Sequence, residues 1–279
     1  MSGKVYLVGA GPGDPELLTV KALRLLRSAE VVLHDDLVTP EILNLIVPGA
    51  QIQNVGKRCG NKTMRQEEIN FLLVTLAASG RQVVRLKSGD PLIFGRAAEE
   101  AEALRKANLP YEIVPGVTSA LGAAAATGIP LTHRQYSSTL VLTTGHRAAE
   151  DSKDGEGGEE WNRFAGAEST LVVYMPGQDY AGLAKRLASA GFAPETPCAV
   201  ISRATTSEQR LHFTTISHLG RAPRLPAPTL LVVGEVAKFA DLHPASSRPE
   251  NLVELEDLPG GILQAALPIT NPQPEEKLA

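Results

Sequence analysis

The stretch KVYLVGAGPGD, residues 4–14, places an apolar run directly before a turn that contains three glycines. The pattern predicts a buried strand over Lys4–Val8 and a tight turn over Gly9–Asp14. Asp14 followed by Pro15 fits a helix N-cap with proline in the first helical position, and leucines at helical spacing come next. A strand, a glycine turn and a helix in this order are typical of an α/β fold, and such a turn lets a ligand approach the backbone.

The alternation of strands and helices continues along the first half of the chain. Further strands are predicted at Ala29–Leu33, Gln51–Val55, Gln82–Leu86 and Tyr111–Val114, with helices at Met64–Ala78 and Ala97–Ala107. This order predicts a mostly parallel sheet with helices on both faces. After Arg134 the predicted elements are strands at Thr139–Thr143, Thr170–Met175, Pro197–Ser202, Gln209–Thr215 and Thr229–Gly234 and a helix near Gly182–Ala190. Consecutive strands there favour a second sheet with more antiparallel pairing.

We therefore expect two α/β domains, with a mostly parallel sheet in residues 1–134 and a mixed sheet in residues 135–241. The segment 148–160 is rich in Gly, Asp and Glu and is expected to be a solvated loop of the second domain. Residues 242–279 form a Pro-rich stretch without convincing periodicity and are expected to be a mobile tail, in which 252–263 is the best candidate for a docked segment.

Composition narrows the class of protein. The chain has 279 residues, of which 43% are hydrophobic and 21% charged, as in an ordinary soluble globular protein. A net charge of −4 disfavours a nucleic-acid binder. The N-terminus has no signal-peptide pattern and no apolar run approaches the roughly 18 residues of a membrane helix, so a cytoplasmic protein is expected. Cys59, Cys198, His133 and His146 lack the spacing of metal ligands or of a disulfide framework, and no metal is expected.

Two more glycine-containing loops follow predicted strands, at Ser88-Gly89-Asp90 and at Val114–Ala120. Ligands of open α/β sheets bind at the carboxyl ends of the strands, so three such loops favour a nucleotide-like cofactor. Small side chains at Thr118 and Ser119 leave room for a flat group, and Asp90 can accept hydrogen bonds from a hydroxyl or an ammonium group. Taken singly, each loop is also compatible with ordinary turn chemistry.

A nicotinamide enzyme is the first rival. The dinucleotide fingerprint needs a glycine where this chain has Asp14, and it does not contain Pro12. An acidic residue about 20 positions later is nevertheless present, as Asp35 or Asp36. The first glycine turn alone is compatible both with dinucleotide binding and with an ordinary strand-to-helix turn.

The order of several motifs resembles the uroporphyrinogen-III C-methyltransferases of the tetrapyrrole methylase family, class III of the methyltransferases that use S-adenosylmethionine. The matching blocks span about residues 3 to 240 and are Gly9–Asp14, Gly56–Gly60, Gly89-Asp90-Pro91 with Phe94-Gly95-Arg96, Val114–Ala120, Gly128–Arg134, Thr144-Gly145-His146 and Pro228-Thr229-Leu230. The resemblance implies two α/β domains with the active-site cleft between them, and a homodimer. It also implies methyl transfer from S-adenosylmethionine to C2 and C7 of uroporphyrinogen III, which gives precorrin-2 for sirohaem, haem d1 or cobalamin synthesis.

The resemblance also assigns residues. Its cofactor-binding positions are Pro12, Ser88, Gly89, Asp90, Ile93, Thr118, Ser119, Met175 and Ala204. Its catalytic positions are Asp35 as proton acceptor, Lys57 as proton donor, and Arg96, Glu99 and Arg134 for holding or deprotonating the substrate. Arginine suits carboxylates because its donors form a fixed two-pronged fork.

Other readings of these residues stay open. Asp35 also fits a strand-end cap, Glu99 is the other candidate base and Asp36 could share that duty. Which of Lys57 and Arg58 points inward is also open. Arg96 and Arg134 are also compatible with salt bridges at the surface or between domains, and Met175 is compatible with a core position.

Departures from the family pattern define the alternatives. His34 stands where tyrosine is usual, and Ser88, Ala97, Pro176 and Ala204 stand where glycine is usual. The departures at Ser88 and Ala204 support a non-catalytic protein that binds S-adenosylmethionine as one alternative. A nicotinamide oxidoreductase with an atypical glycine turn is the second, and methylation of another corrinoid intermediate, as in relatives of this fold, is the third. No fused dehydrogenase–chelatase segment is recognisable, so we expect later steps to need other proteins.

Overall fold

A computed structural model describes residues 3–56, 64–145, 161 and 168–240. All of these residues belong to one compact unit. The solvated loop expected at 148–160, the tail expected from residue 242 and its docked segment at 252–263 lie outside the described residues. The division into two domains at residue 134 stays a prediction.

The first sheet is parallel throughout its described strands. These are β1 (Val5–Gly9), β2 (Val31–His34), β3 (Gln51–Asn54), β4 (Val83–Lys87) and β5 (Tyr111–Val114). Their order is β3-β2-β4-β1-β5, with Val5 of β1 paired to Val83 on one side and to Tyr111 on the other. The predicted parallel sheet is confirmed, and the three strands that end in glycine-containing loops, β4, β1 and β5, are neighbours.

Helices cover both faces of this sheet, as predicted. They are α1 (Val20–Leu26), α2 (Pro40–Leu43), α3 (Gln66–Ala78) and α4 (Ala97–Lys106). The last described helix of this half is α5 (Ser119–Thr127). Successive strand residues point to opposite faces, so Val8 packs with α1 and α2, while Leu7 packs with α3 and α4. Helix α5 instead buries Ala120 and Ala123 against residues of the second sheet.

The first glycine turn does not lead into one continuous helix, which corrects the sequence-based expectation. Asp14 caps only a short 3₁₀ helix, Pro15–Leu17, by accepting the N–H of Glu16 at 2.9 Å. Thr19 is extended, and its hydroxyl accepts the N–H of Ala22 at 3.1 Å, which begins α1. A threonine side chain that satisfies a free backbone donor favours a new helix start, which the spacing of the leucines does not reveal.

The second sheet is mixed, as predicted. Its described strands are β6 (Thr139–Thr144), β7 (Ser169–Tyr174), β8 (Pro197–Ser202), β9 (Arg210–Thr215) and β10 (Thr229–Val233), in the order β6-β7-β10-β8-β9. β6 runs parallel to β7, whereas β10 is antiparallel to β7 and β8, and β8 is antiparallel to β9.

Both faces of the second sheet are covered as well. Helices α6 (Tyr180–Ser189) and α7 (Ile216–Leu219) pack on one face, and α5 with the 3₁₀ helix Glu235–Phe239 pack on the other. Helix α5 was not predicted, because a run of alanines has no apolar periodicity, and neither were the short α2 and α7. No helix in the described part of the chain is long and apolar enough to cross a membrane.

Three glycines let the ends of β1, β4 and β5 meet backbone against backbone. A Cβ on Gly9 would lie 2.5 Å from the nitrogen of Gly116, and a Cβ on Gly116 would lie 2.4 Å from the carbonyl oxygen of Gly89. Real Cβ atoms do not approach backbone this closely, so any side chain at Gly9 or Gly116 would push the strand ends apart. The requirement for glycine at these two positions is therefore steric.

Gly116→Ala tests this contact. We expect a loss of about 1–3 kcal/mol in the free energy of unfolding, because the added methyl meets rigid backbone atoms. Urea unfolding followed by circular dichroism measures it. Gly220→Ala is the control, since the nearest atom to its added Cβ is 3.3 Å away. Equal losses in the two variants would contradict the backbone-contact explanation.

Candidate active site

A cavity of about 290 Å³ lies at the carboxyl ends of the parallel strands and is closed on its other side by the second sheet. Ligand pockets start at roughly 300 Å³, so the cavity is close to the lower end of that range. Its walls from the first half are Pro12, Asp35, Asp36, Leu37, Gly56, Ser88, Gly89, Asp90, Ile93, Phe94, Gly95, Thr118 and Ser119. Its walls from the second half are Tyr174, Met175, Ile201, Ala204, Pro228, Thr229 and Leu230.

The first two glycine loops are bonded to each other on the floor of the cavity. The N–H of Ala10 donates to the carbonyl of Lys87 at 2.7 Å, and Gly11 and Gly89 exchange backbone hydrogen bonds of 2.7 and 3.2 Å. Gly89 needs a φ of +68°, in the left-handed region that favours glycine. These contacts hold Ser88, Gly89 and Pro12 on one wall.

Asp90 is held in a fixed orientation by the backbone. Its Oδ1 accepts the N–H of Leu92 at 2.8 Å, and its Oδ2 accepts the N–H of Gly116 at 3.1 Å. A carboxylate has further lone pairs beyond the two used here, so Asp90 can still accept hydrogen bonds from a ligand in the cavity.

Tyr174, at the end of β7, connects the second sheet to α5. Its hydroxyl accepts the N–H of Ala120 at 3.1 Å and lies 2.7 Å from the hydroxyl oxygen of Thr118. Burial raises the pKa of Tyr174 above its usual value. Tyr174 was not predicted as a wall residue, although a tyrosine at the end of a buried strand needs a partner for its hydroxyl.

Two wall residues adopt left-handed backbone angles without being glycine. Phe94 has a φ of +53° and Met175 a φ of +48°. Such angles are sparsely populated for residues with a side chain and concentrate at functional sites. Met175 is 47% exposed and lies on the cavity wall, so the alternative that it is a core residue is wrong.

Asp35 is an acidic wall residue that is hydrogen-bonded to the first sheet. Its N–H donates to the carbonyl of Leu86 at 3.1 Å, and its own carbonyl accepts a hydrogen bond from Nδ1 of His34 at 2.9 Å. Its carboxylate accepts a hydrogen bond from the guanidinium of Arg85. Asp36, also on the wall, accepts one from the side-chain amide of Asn54 at 3.2 Å.

Behind Asp35 lie buried charges that were not predicted from the sequence. Arg85 and Lys87 point to the same face of β4, where Oε1 of Glu100 accepts from Nε of Arg85 at 2.9 Å and from Nζ of Lys87 at 3.0 Å. Burial, and then the charge of Arg85, lower the pKa of Lys87. A signal was present in the sequence, because two cations at alternate positions of a strand expected to be buried on both faces require partners.

All nine predicted cofactor residues, Pro12, Ser88, Gly89, Asp90, Ile93, Thr118, Ser119, Met175 and Ala204, line the cavity. Of the predicted catalytic residues, Asp35 lines it and Lys57 lies outside the described residues. What each of these residues does stays a prediction. Leu37, Phe94 and Ile201 also line the wall but were not assigned a role. They are apolar residues in sequence contexts that are typical of ordinary turns and of the core.

Arg96, Glu99 and Arg134 are not part of the described cavity wall. Arg96 follows the wall residue Gly95 and makes a two-pronged ion pair with Glu99, with both N–O distances at 2.7 Å. Both side chains are about half exposed, at 46% and 47%. Arg134 is exposed in the turn between His133 and Ser137. Within the described ranges, no group of three His, Cys, Asp or Glu side chains could hold a metal ion.

Tyr174→Phe tests the connection between the second sheet and α5. We expect a loss of about 1–3 kcal/mol in the free energy of unfolding, because the buried N–H of Ala120 loses its acceptor. Chemical denaturation measures it. Tyr180→Phe is the control, since Tyr180 is similarly buried but its hydroxyl bonds to none of the described residues. A Tyr174→Phe variant as stable as Tyr180→Phe would show that the hydrogen bond contributes nothing.

Comparisons with known proteins agree with this geometry. Residues 4–220 match the family model of the Tetrapyrrole (Corrin/Porphyrin) Methylases. Siroheme synthase 1 of Yersinia enterocolitica is 48% identical over 243 residues, which are 86% of this chain and 50% of that protein. The chain thus spans about half the length of the curated relatives it matches.

Solved structures are similar over most of their length. The uroporphyrin-III-C-methyltransferase of Thermus thermophilus is 45% identical with a TM-score of 0.71, over 85% of this chain and 95% of that one. Another structure of the T. thermophilus enzyme, complexed with S-adenyl homocysteine, is 40% identical with a TM-score of 0.73, over 85% of this chain and 99% of that one. With the family model covering most of its length and a near-complete structural relative at this identity, the chain belongs to the tetrapyrrole (corrin/porphyrin) methylase family.

Proposed function

We propose that this chain transfers methyl groups from S-adenosylmethionine to C2 and C7 of uroporphyrinogen III, giving precorrin-2 by way of precorrin-1. The observation that carries the proposal is the cavity at the three glycine loops, whose wall contains the nine predicted cofactor residues and an aspartate pair. Precorrin-2 would serve sirohaem, haem d1 or cobalamin synthesis. A homodimer working in the cytoplasm is part of the same proposal.

The residues of the cavity suit S-adenosylmethionine, which supplies an electrophilic methyl group on a sulfonium. Asp90 presents a backbone-fixed carboxylate for a hydroxyl or an ammonium group. Gly89 keeps its part of the wall free of a side chain, and Ile201 and Leu230 add apolar surface from the second sheet. A mostly apolar pocket with a few fixed polar groups is the usual form of a small-molecule site.

Methylation of a pyrrole carbon leaves the tetrapyrrole with a proton to lose, and a carboxylate at the wall can accept it. Asp35 meets this need because its main chain and its carboxylate are both held in place beside the cavity. Glu99, the other candidate base, is engaged by Arg96 and is not on the described wall. The geometry therefore favours Asp35 as the base.

The eight carboxylates of the substrate require cations near the cavity. Arg96 is one residue from the wall and already holds a carboxylate in the two-pronged manner. An exposed ion pair of this kind is worth only about 0–1 kcal/mol, so a substrate carboxylate can replace Glu99 at little cost. Arg134, exposed in its turn, and Lys57 are the further cations of the proposal.

The other candidate functions fit the described residues less well. A dinucleotide site needs a helix that begins directly after the glycine turn, whereas here a three-residue 3₁₀ helix intervenes and α1 begins only at Val20. Ser88 and Ala204, the departures that favour a non-catalytic protein, line the cavity without closing it. Another corrinoid intermediate remains the alternative methyl acceptor.

Calorimetric titration with S-adenosylhomocysteine and with NAD, followed by an assay of methyl transfer to enzymatically made uroporphyrinogen III, tests the proposal. We expect binding of S-adenosylhomocysteine, no binding of NAD, and two methyl groups transferred per tetrapyrrole. Tight binding of NAD without S-adenosylhomocysteine would overturn the proposal. Binding of S-adenosylhomocysteine without methyl transfer to uroporphyrinogen III would support a non-catalytic protein or another acceptor.

Arg96→Ala and Arg134→Ala test the carboxylate contacts. Loss of one charged hydrogen-bonded contact should raise the KM for the tetrapyrrole about tenfold or more, while the Kd for S-adenosylhomocysteine stays unchanged. Steady-state kinetics and calorimetry measure the two constants. Arg105→Ala is the control, because Arg105 lies at the other end of α4 and donates to the hydroxyl of Tyr111. A variant with an unchanged KM would exclude its arginine from substrate binding.

A further inference from the structure

Four charged side chains form a connected group between the first sheet and the cavity, which we call the buried charge cluster: Asp35, Arg85, Lys87 and Glu100. Two cations face two carboxylates, so the formal charges balance when Lys87 is protonated. Arg85, Lys87 and Glu100 are at most 2% exposed, whereas the Asp35 side chain is 28% exposed and reaches the cavity wall. The cluster is thus continuous from a fully buried carboxylate to the site.

Arg85 joins the two carboxylates. Its Nε donates to Glu100 at 2.9 Å and its Nη2 donates to the carboxylate of Asp35. Its Nη1 donates to the carbonyls of Leu33 and Leu86, at 3.4 and 3.3 Å. A planar guanidinium with each nitrogen engaged has little freedom to rotate, so the Asp35 carboxylate is held relative to both β2 and β4.

Glu100 holds Arg85 from the other side. Its Oε1 accepts hydrogen bonds from Arg85, Lys87 and, at 3.4 Å, Gln66 of α3, while Oε2 has no partner among the described residues. Burying such a group gives little net stability compared with an apolar residue of similar volume. Stability alone therefore does not account for the cluster. Its one partly exposed member, Asp35, lies on the cavity wall, which indicates a role for the cluster at the site.

The first turn of α4 connects the two sides of the site. Glu99 faces outward and pairs with Arg96, the proposed carboxylate-binding residue. The next residue, Glu100, faces inward and holds Arg85. The same helical turn thus carries Glu99, which pairs with the proposed substrate-binding Arg96, and Glu100, which holds Arg85 behind the proposed base Asp35.

We propose that Arg85 and Glu100 are positioning residues for methyl transfer, which fix the Asp35 carboxylate in the orientation that takes the proton from the tetrapyrrole. The inference rests on the proposed function, because it assigns Arg85 and Glu100 a role that acts through Asp35. The burial of Arg85, Lys87 and Glu100, which also lowers the pKa of Lys87, agrees with a cluster whose groups are oriented by their contacts with one another.

Glu100→Gln is the main test. The side chain keeps its length, and the NH₂ group takes the place of Oε2, which has no described partner. The neutral amide oxygen accepts a weaker hydrogen bond from Arg85 than the charged Oε1 does, so Arg85 is held less firmly. We expect kcat to fall about 10–100-fold, as for a misplaced catalytic group, with little change in the KM for the tetrapyrrole or the Kd for S-adenosylhomocysteine. Glu102→Gln, on the exposed side of the same helix, is the matched control and should leave kcat unchanged.

A double-mutant cycle with Asp35→Asn separates positioning from a general loss of structure. If Glu100 acts through Asp35, the double variant should have the kcat of Asp35→Asn alone, within about twofold. Multiplicative losses, or an Asp35→Asn variant with unchanged kcat, would overturn this inference and leave methyl transfer by the unaltered chain standing. No methyl transfer by the unaltered chain would instead overturn the proposed function, and this inference with it.

Glu100→Asp is a second variant for the case in which Glu100→Gln lowers the thermal unfolding midpoint, because a loss of kcat could then result from lost stability. The shorter side chain keeps the charge balance of the cluster but withdraws the carboxylate from Arg85. We expect the same selective loss of kcat in a chain that still binds S-adenosylhomocysteine. A fully active Glu100→Asp variant would overturn the positioning role.

Discussion

The backbone contact among Gly9, Gly89 and Gly116 is the constraint on which the rest of the structure depends. It brings the ends of three parallel strands within van der Waals distance, and no side chain fits between them. The loops that start from this contact line the cavity, with Pro12, Ser88, Asp90, Thr118 and Ser119 on its wall. Backbone hydrogen bonds of Ala10 and Gly11 with Lys87 and Gly89, and the bond from Gly116 to Asp90, connect the loops where no regular element crosses the floor of the cavity.

The second half of the chain completes the cavity through the apolar packing of α5 on the second sheet and through polar contacts. Tyr174 holds the first turn of α5, and the hydroxyl of Thr205 accepts the N–H of Asp14 at 3.3 Å. These contacts place the ends of β7, β8 and β10 opposite the glycine loops. The cavity is therefore a product of both sheets, and neither sheet alone provides a site with walls on both sides.

The parts of this arrangement that the sequence predicted are those with local causes. Glycine after a buried strand predicts a close backbone approach, and strand–helix alternation predicts a parallel sheet, so β1, β4, β5 and their loops were found. The break between the 3₁₀ helix and α1 was missed because a competing cap at Thr19 has no apolar signal. Arg85, Lys87 and Glu100 were missed because their pairing joins β4 to α4, across 13 to 15 residues of sequence.

The sequence by itself determined the fold class, the three glycine loops and, through the resemblance, nine cofactor positions and Asp35 on the cavity wall, because each depends on short-range geometry or on an ordered set of motifs. Only the tertiary structure decided which charges face one another. It decided that Arg85 and Lys87 share Glu100, and that Asp35 is held by Arg85 from behind. Pairing of buried charges depends on distances between elements that are remote in the chain, and no local pattern encodes those distances.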